Sequence, residues 1–348
     1  MRRLIPVAGL IFLTLLSCSR PHKFSTMGTE YQITLFSDDE VEVRHGRLIE
    51  EELSSPLYFT HRESVFEVTR RDMESVGKFM NFKNIVFIDD VSTEDAVTVF
   101  LKDVLGETLL NNVNRISVAH QKDVWTEGQS VLFLLFNGSG YTEDEVRQAM
   151  AGGHNRLFEY IGERIQRDLE KERTSKKAAQ KSQELFGFSF RIPARYALFK
   201  ESGDFLSFVT RSPDRLFFVT ELENTEEPVT RSFMIGARNA VTEEYYGGDR
   251  VFEELYLWKE KEPDVPYYGG LDIVTVAGHP VYKLTGLWEN PETIHGGPFI
   301  TYLVEYSGRR FLLDAMLFHP SGNKWPFLNK MDASLKRSIE DIYSGESR

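Results

Sequence analysis

The chain is poor in cysteine, in paired histidines and in basic charge, and each shortage removes a class of protein. A single cysteine among 348 residues excludes a disulfide framework and a thiolate zinc site. The eight histidines (His22, His45, His61, His120, His154, His279, His295 and His319) never stand four apart, so no helical metal pair of the H-E-x-x-H kind exists. Lysine and arginine number 41 against 53 acids, a net charge of −12, whereas a general nucleic-acid binder needs a basic stripe. There is no G-x-S-x-G elbow, no P-loop and no G-x-G-x-x-G after a strand. Long apolar runs are also lacking: Leu4 to Leu16, at ~1.5 Å per residue, falls short of a ~30 Å hydrocarbon core.

That short run is informative for what surrounds it. Arg2 and Arg3 precede it, and it ends Leu15-Leu16-Ser17-Cys18, so that the only cysteine stands where a bacterial lipoprotein is acylated. The segment resembles such a signal. The resemblance implies a signal peptide over 1–17, acyl chains on Cys18 as a membrane anchor, and a tether over 18–29. Several acyl chains, at ~0.8 kcal/mol per buried methylene, hold durably where one would not. The residues after Cys18 are basic (Arg20, His22, Lys23), and the first acid is Glu30. This favours the outer membrane facing the periplasm over the outer cell surface.

A hydrophobic content of 41% with 13% aromatics supports packed cores. In the first half, strand-like and helix-like pieces alternate. Tyr31–Phe36, Val65–Val68, Asn84–Ile88, Ile116–His120 and Val131–Phe136 read as strands, the last apolar throughout and therefore buried on both faces. Val41–Leu53, a short stretch over 73–82, and 93–110 read as helices. Thr142 with Glu145 forms a capping box for a long helix whose face is Val146, Met150, Leu157, Ile161, Ile165 and Leu169. Gly152-Gly153 is a place for it to kink, and its charged tail, Glu170 to Lys181, reads as a solvated connection.

From Leu185 strands and turns dominate: Phe186–Pro193, Phe205–Thr210, Leu216–Glu221, Leu271–Val276, Val281–Trp288, Phe299–Tyr306 and Arg310–Phe318. One helix has Phe233, Ala237, Val241 and Tyr245 at spacing four and ends at Gly247-Gly248, and a last helix aligns Leu328, Met331, Leu335, Ile339 and Ile342. The expected fold is α+β: an N-terminal α/β-type domain over 30–141, a long linking helix over 142–184, and a C-terminal antiparallel sheet with packed helices over 185–348.

Four blocks of residues carry a second resemblance: Leu185-Phe-Gly-Phe-Ser-Phe-Arg-Ile-Pro193, Gly286-Leu-Trp-Glu-Asn290, His295-Gly-Gly-Pro-Phe299, and Phe311-Leu-Leu-Asp-Ala315 through His319-Pro320. Together they resemble a family of bacterial envelope lipoproteins known as domain of unknown function 4837. The C-terminal order of strands and helices is similar to the sandwich of the PsbP-like extrinsic photosystem proteins. Neither resemblance implies an activity, a catalytic residue or a cofactor, and fold does not fix function.

Chemistry-bearing residues are few. His279, His295 and His319 with Asp314 are the only metal-like grouping, and each histidine sits beside Gly or Pro in a turn, so no metal or cofactor is expected. Asn137-Gly138-Ser139-Gly140 before the capped helix reads as a turn rather than an anion site. The grouping worth carrying is Trp288, Glu289, His295 and Phe299 around a Gly-Gly-Pro turn, with Trp258, Tyr267 and Tyr268 upstream, because aromatics beside turns with a few polar anchors suit a binding surface. The leading expectation is a lipid-anchored, non-enzymatic envelope protein that binds another envelope protein or a small ligand there, and no nucleic acid. The alternative is an envelope hydrolase pairing Glu289 with His295 or using Asp314, since acid–base hydrolysis needs a carboxylate–histidine or carboxylate–carboxylate pair.

Overall fold

The computed structural model describes residues 26–223 and 227–344. Cys18 and the signal segment lie outside these residues. The fold is α+β, with two larger sheets built on opposite principles.

The first sheet contains β1 (Gln32–Ser37), then α1 (Asp39–Ser54), a small hairpin of β2 (Pro56–Tyr58) and β3 (Arg62–Ser64), and β4 (Glu67–Arg70). After a 3-10 turn come α2 (Val76–Phe79), β5 (Asn84–Asp90), α3 (Ala96–Leu105), α4 (Glu107–Asn111), β6 (Ile116–Lys122), β7 (Ser130–Phe136) and α5 (Glu143–Lys171). The sheet order is β4-β1-β5-β7-β6, parallel except for β6. Parallel strands joined by helices are covered on both faces. Accordingly β5 and β7 are buried at every position. On one face α1 and α5 pack Leu48, Val146, Ile161 and Ile165 over Val86, Leu132 and Leu134. On the other, Val97 and Leu101 of α3 pack over Phe87 and Phe133.

The capping box forms as read, with the Thr142 side chain and the Glu145 carboxylate each serving the other's backbone amide. Gly152-Gly153 does not break α5. A Cβ at Gly153 would sit 3.0 Å from Leu132 Cδ2, so this glycine lets the helix lie close on β7. Beyond Lys171 the chain is extended, and Ser175 accepts from the Ala178 amide to cap a second helix, α6 (Lys176–Phe186). The connection between the sheets is therefore two helices, the first of which covers the parallel sheet.

The second sheet follows with β8 (Ala197–Ser202), β9 (Phe205–Thr210), β10 (Asp214–Leu222), α7 (Arg231–Tyr246), β11 (Arg250–Val251), α8 (Glu254–Lys261), β12 (Gly270–Val276), β13 (His279–Asn290), β14 (His295–Tyr306), β15 (Arg309–Phe318) and α9 (Trp325–Ser344). Its antiparallel order is β11-β13-β14-β15-β10-β9-β8, with β12 also on β13. Alternate residues serve different cores. Phe217, Tyr302 and Leu313 join the core under α9, whereas Phe218, Leu303 and Leu312 join the core under α7.

Two expectations change. The run Phe186–Pro193 is not a sheet strand: it buries Phe186, Phe188, Phe190 and Ile192, but its amides at Phe190 and Arg191 bond to the hydroxyls of Ser182 and Ser338. The buried face of α7 is Met234, Ile235, Arg238, Val241 and Thr242; of the row at spacing four Val241 is buried while Phe233 and Tyr245 pack half-buried at its side, because an arginine takes the centre of the contact.

Candidate functional site

The tip of the β13–β14 hairpin carries three of the four residues singled out as a binding surface, and its geometry follows from local chemistry. Asn290 closes the turn: its Oδ1 accepts from the amides of Glu292 and Thr293, both at 3.0 Å. Its Nδ2 donates to Asp249 Oδ1 at 2.7 Å and to the Gly247 carbonyl, tying the tip to the end of α7. Ile294, 94% exposed, stands at φ +57°, a left-handed conformation that a β-branched residue rarely adopts. Across the strands Trp288 faces Gly297, Glu289 faces Gly296 and Asn290 faces His295. A side chain at Gly297 would collide with the Leu317 carbonyl, the same oxygen that accepts from Trp288 Nε1 at 3.3 Å. The Gly-Gly pair is thus required by close passage between neighbouring strands.

Trp288, Glu289 and His295 line a cavity of about 530 Å³. Its lining also draws on the first half of the chain, Phe59, Thr60 and His61 of the β2–β3 hairpin, and includes Phe252, Leu287, Pro298 and Lys324. A second cavity, of about 420 Å³, opens on the other side of Trp288 and His295, with Phe199, Tyr246 and Asp249 in its wall. Phe299 lines neither. It is fully buried between the sheet and α7, its ring 4.0 Å beneath the Arg238 guanidinium, because it lies deeper along β14 where Gly286 opposite leaves room for it. Tyr267 and Tyr268 also lie away from these linings: Tyr268 packs 5.0 Å from Phe59, behind the first cavity's wall.

The charged groups are held in pairs. Glu289 Oε1 accepts from Arg250 Nε and Nη2, at 3.0 and 2.9 Å. His295 packs against Phe318 at 4.9 Å. Glu63 receives the Lys324 ammonium, the Lys324 amide at 3.0 Å and His61 Nε2 at 3.1 Å, which fastens the β2–β3 hairpin to the start of α9. Burial pushes the Asp249 carboxyl up, partly offset by the bond from Asn290.

Asp314 is elsewhere. It is fully buried in β15, accepting from Arg238 Nε at 2.8 Å and from the Thr301 hydroxyl, and burial holds its carboxyl above the usual range despite that arginine. His279 stacks on Tyr343 at 4.0 Å, and His319 meets the edge of Phe327 at 5.3 Å. The three histidines and Asp314 therefore do not converge, and among the described residues no group of three or more His, Cys, Asp or Glu is placed to hold a metal ion.

Sequence reasoning missed Phe59, His61 and Lys324. They are separated from the hairpin by long stretches of chain, and the three-residue strands that position Phe59 and His61 give no periodicity to read.

No curated protein matches this chain. Among solved structures, one from Bacteroides thetaiotaomicron VPI-5482 is 9% identical, covering 42% of this chain and 43% of that one, with a TM-score of 0.23. The aligned part is thus less than half of that protein. A point mutant of the protein Mog1 is 9% identical, covering 46% and 90%, with a TM-score of 0.26. LpqN, described as involved in cell envelope biogenesis of Mycobacterium tuberculosis, is 14% identical, covering 44% and 79%, with a TM-score of 0.23. Likeness at this level assigns neither fold nor activity. The sequence comparison is more specific: residues 175–337, which hold the second sheet and the strands of the hairpin site, match the family described as Domain of unknown function (DUF4837).

Proposed function

We propose that this is a lipid-anchored cell-envelope protein that binds another envelope component, a small ligand or a segment of a protein, in the cavity beside Trp288. The observation that supports binding is the cavity itself: about 530 Å³, walled by Phe59, Trp288, Leu287 and Pro298, with Glu289, His61 and Lys324 as polar anchors. Ligand sites combine apolar walls with a few placed polar groups in this way. Glu289 is paired with Arg250 and Asp314 with Arg238, arrangements that suit holding charge in place better than moving protons.

Anchoring rests on the lipoprotein-like Leu15–Cys18 sequence, and no described helix is long and apolar enough to cross a membrane. The basic residues after Cys18 favour the outer membrane facing the periplasm. Cys18→Ser is expected to release the protein into the soluble fraction or leave an uncleaved precursor, and normal retention of a processed variant would overturn the anchor. Binding is tested by crosslinking in intact membranes with mass spectrometry of the captured partners. Glu289→Ala with His295→Ala is expected to lose a partner while the melting temperature stays nearly unchanged. A stable double variant that keeps every partner would place binding elsewhere. Turnover of a peptide, ester or glycan by the purified protein, absent in the double variant, would replace binding with hydrolysis.

A further inference from the structure

The described chain enters at Thr26, at the end of the parallel sheet where β1, β5 and β7 begin. That end carries an apolar rim at the edge of the core under α3, against which Phe82, Val124 and Trp125 pack while keeping part of their surface uncovered. Met27 is 52% exposed and pairs with Phe82 in an isolated bridge. Met80, Phe82, Val124 and Trp125 beside it are all half-buried. One buried side chain gathers these loops: Gln129 Nε2 donates to the carbonyls of Met80 and Phe82 at 2.6 and 2.8 Å, and its Oε1 accepts from the Trp125 amide at 3.0 Å. The rim is therefore built on a fixed frame. Trp, with an apolar body and a polar N–H, is a side chain that settles at a membrane–water interface.

The tether fixes what this rim meets. Only the residues from Cys18 to Ser25 separate an acylated cysteine from Thr26, and so short a segment extends at most about 28 Å. It contains Arg20, His22 and Lys23 and no acid, so it is drawn to anionic headgroups rather than held away from them. We propose that this end of the sheet rests on the lipid surface, with Met27, Phe82 and Trp125 at headgroup depth, so that the membrane is a contact partner of the folded protein as well as the attachment point of its acyl chains. The inference rests on the anchor reading above.

The test uses the processed lipoprotein reconstituted into phosphatidylethanolamine–phosphatidylglycerol vesicles containing dibrominated phosphatidylcholine, with two readouts, flotation and tryptophan quenching. The expected result is flotation together with a quenched emission component that disappears in Trp125→Phe and falls at least twofold in Met27→Asp, both variants keeping the parent's melting temperature. Flotation with identical quenching in the parent and Trp125→Phe would overturn the lipid contact while leaving the anchor intact. Absence of flotation would overturn both. Crosslinks joining two copies through the Met27–Trp125 rim, with no quenching, would assign the rim to a second copy of the chain instead.

Discussion

The two sheets solve the same problem with different residues. In the parallel sheet the central strands are buried at every position and apolar through their middles, and the ionisable groups are pushed to the strand ends: Asp38 follows β1, and Asp89 and Asp90 close β5. In the antiparallel sheet a strand serves two cores alternately, and an ion pair, Arg238 with Asp314, sits fully buried between sheet and helix. Burial of charge here follows helix placement. α7 lays Arg238 across the middle of its sheet, whereas α3 covers the parallel sheet without a buried charge and α5 buries Arg164 only at the sheet's end, where it meets Asn84 and Glu30.

The largest effect is expected on removing one partner of the buried pair. Asp314→Ala leaves Arg238 uncompensated and is expected to cost ~3–5 kcal/mol in denaturant unfolding. Replacing both partners by apolar residues should recover most of that loss. If the single variant is nearly neutral, the pair is not the organising contact of the α7 face.

The second test concerns autonomy. We propose a boundary near residue 184, and the two sides should behave unequally when separated. A fragment over 185–348 keeps its sheet with α7 and α9, and is expected to unfold cooperatively. A fragment over 26–184 loses Ala333 and Trp325 of α9 from its core surface, together with the bond from Asn329 to the Tyr31 hydroxyl, and should melt lower. Calorimetry of the two fragments checks the order.

A smaller effect concerns pH. Burial, with Asp95 nearby, raises the Asp89 carboxyl to about 7 from an ordinary 3.8, while Thr98 donates to both of its oxygens. The folded state thus binds this proton more tightly than the unfolded chain does. Its stabilising contribution is full below pH ~4 and is lost as pH rises toward 7. Asp89→Asn, which keeps an acceptor for Thr98, should flatten that slope and raise stability at pH 8 by roughly 1–3 kcal/mol. A melting-temperature series from pH 5 to 8 on both proteins reads it. The smallest expected change is Ile294→Gly, which relieves the left-handed turn for a gain of about 0.5–1 kcal/mol.

The sequence shows most of this architecture where hydrophobic period and caps agree. β7, the capping box of α5, the β12–β13 and β14–β15 hairpins and the face of α9 all appear at the expected residues. It misleads where alternation buries residues without a strand partner, as in Phe186–Pro193. The cavity is half legible: Trp288, Glu289 and His295 are neighbours along one hairpin, but Phe59, His61 and Lys324 come from distant parts of the chain. Phe299 shows the limit of adjacency, since residues close in sequence at a turn diverge within a few positions along a strand.

The last helix is shared. α9 packs Leu335 and Ile339 into the antiparallel core, while its Ala333 closes the parallel one and its Arg337 reaches the Leu169 carbonyl at the end of α5. A chain made from its N-terminus emerges in the opposite order to this dependence. All five strands of the parallel sheet are available early, yet the surface over α5 stays uncovered until residues 325–344 arrive. A chain emerging N-terminus first would therefore carry an incompletely covered first half until its last twenty or so residues were made. This makes the interval before α9 docks the period when a holding chaperone has most to protect.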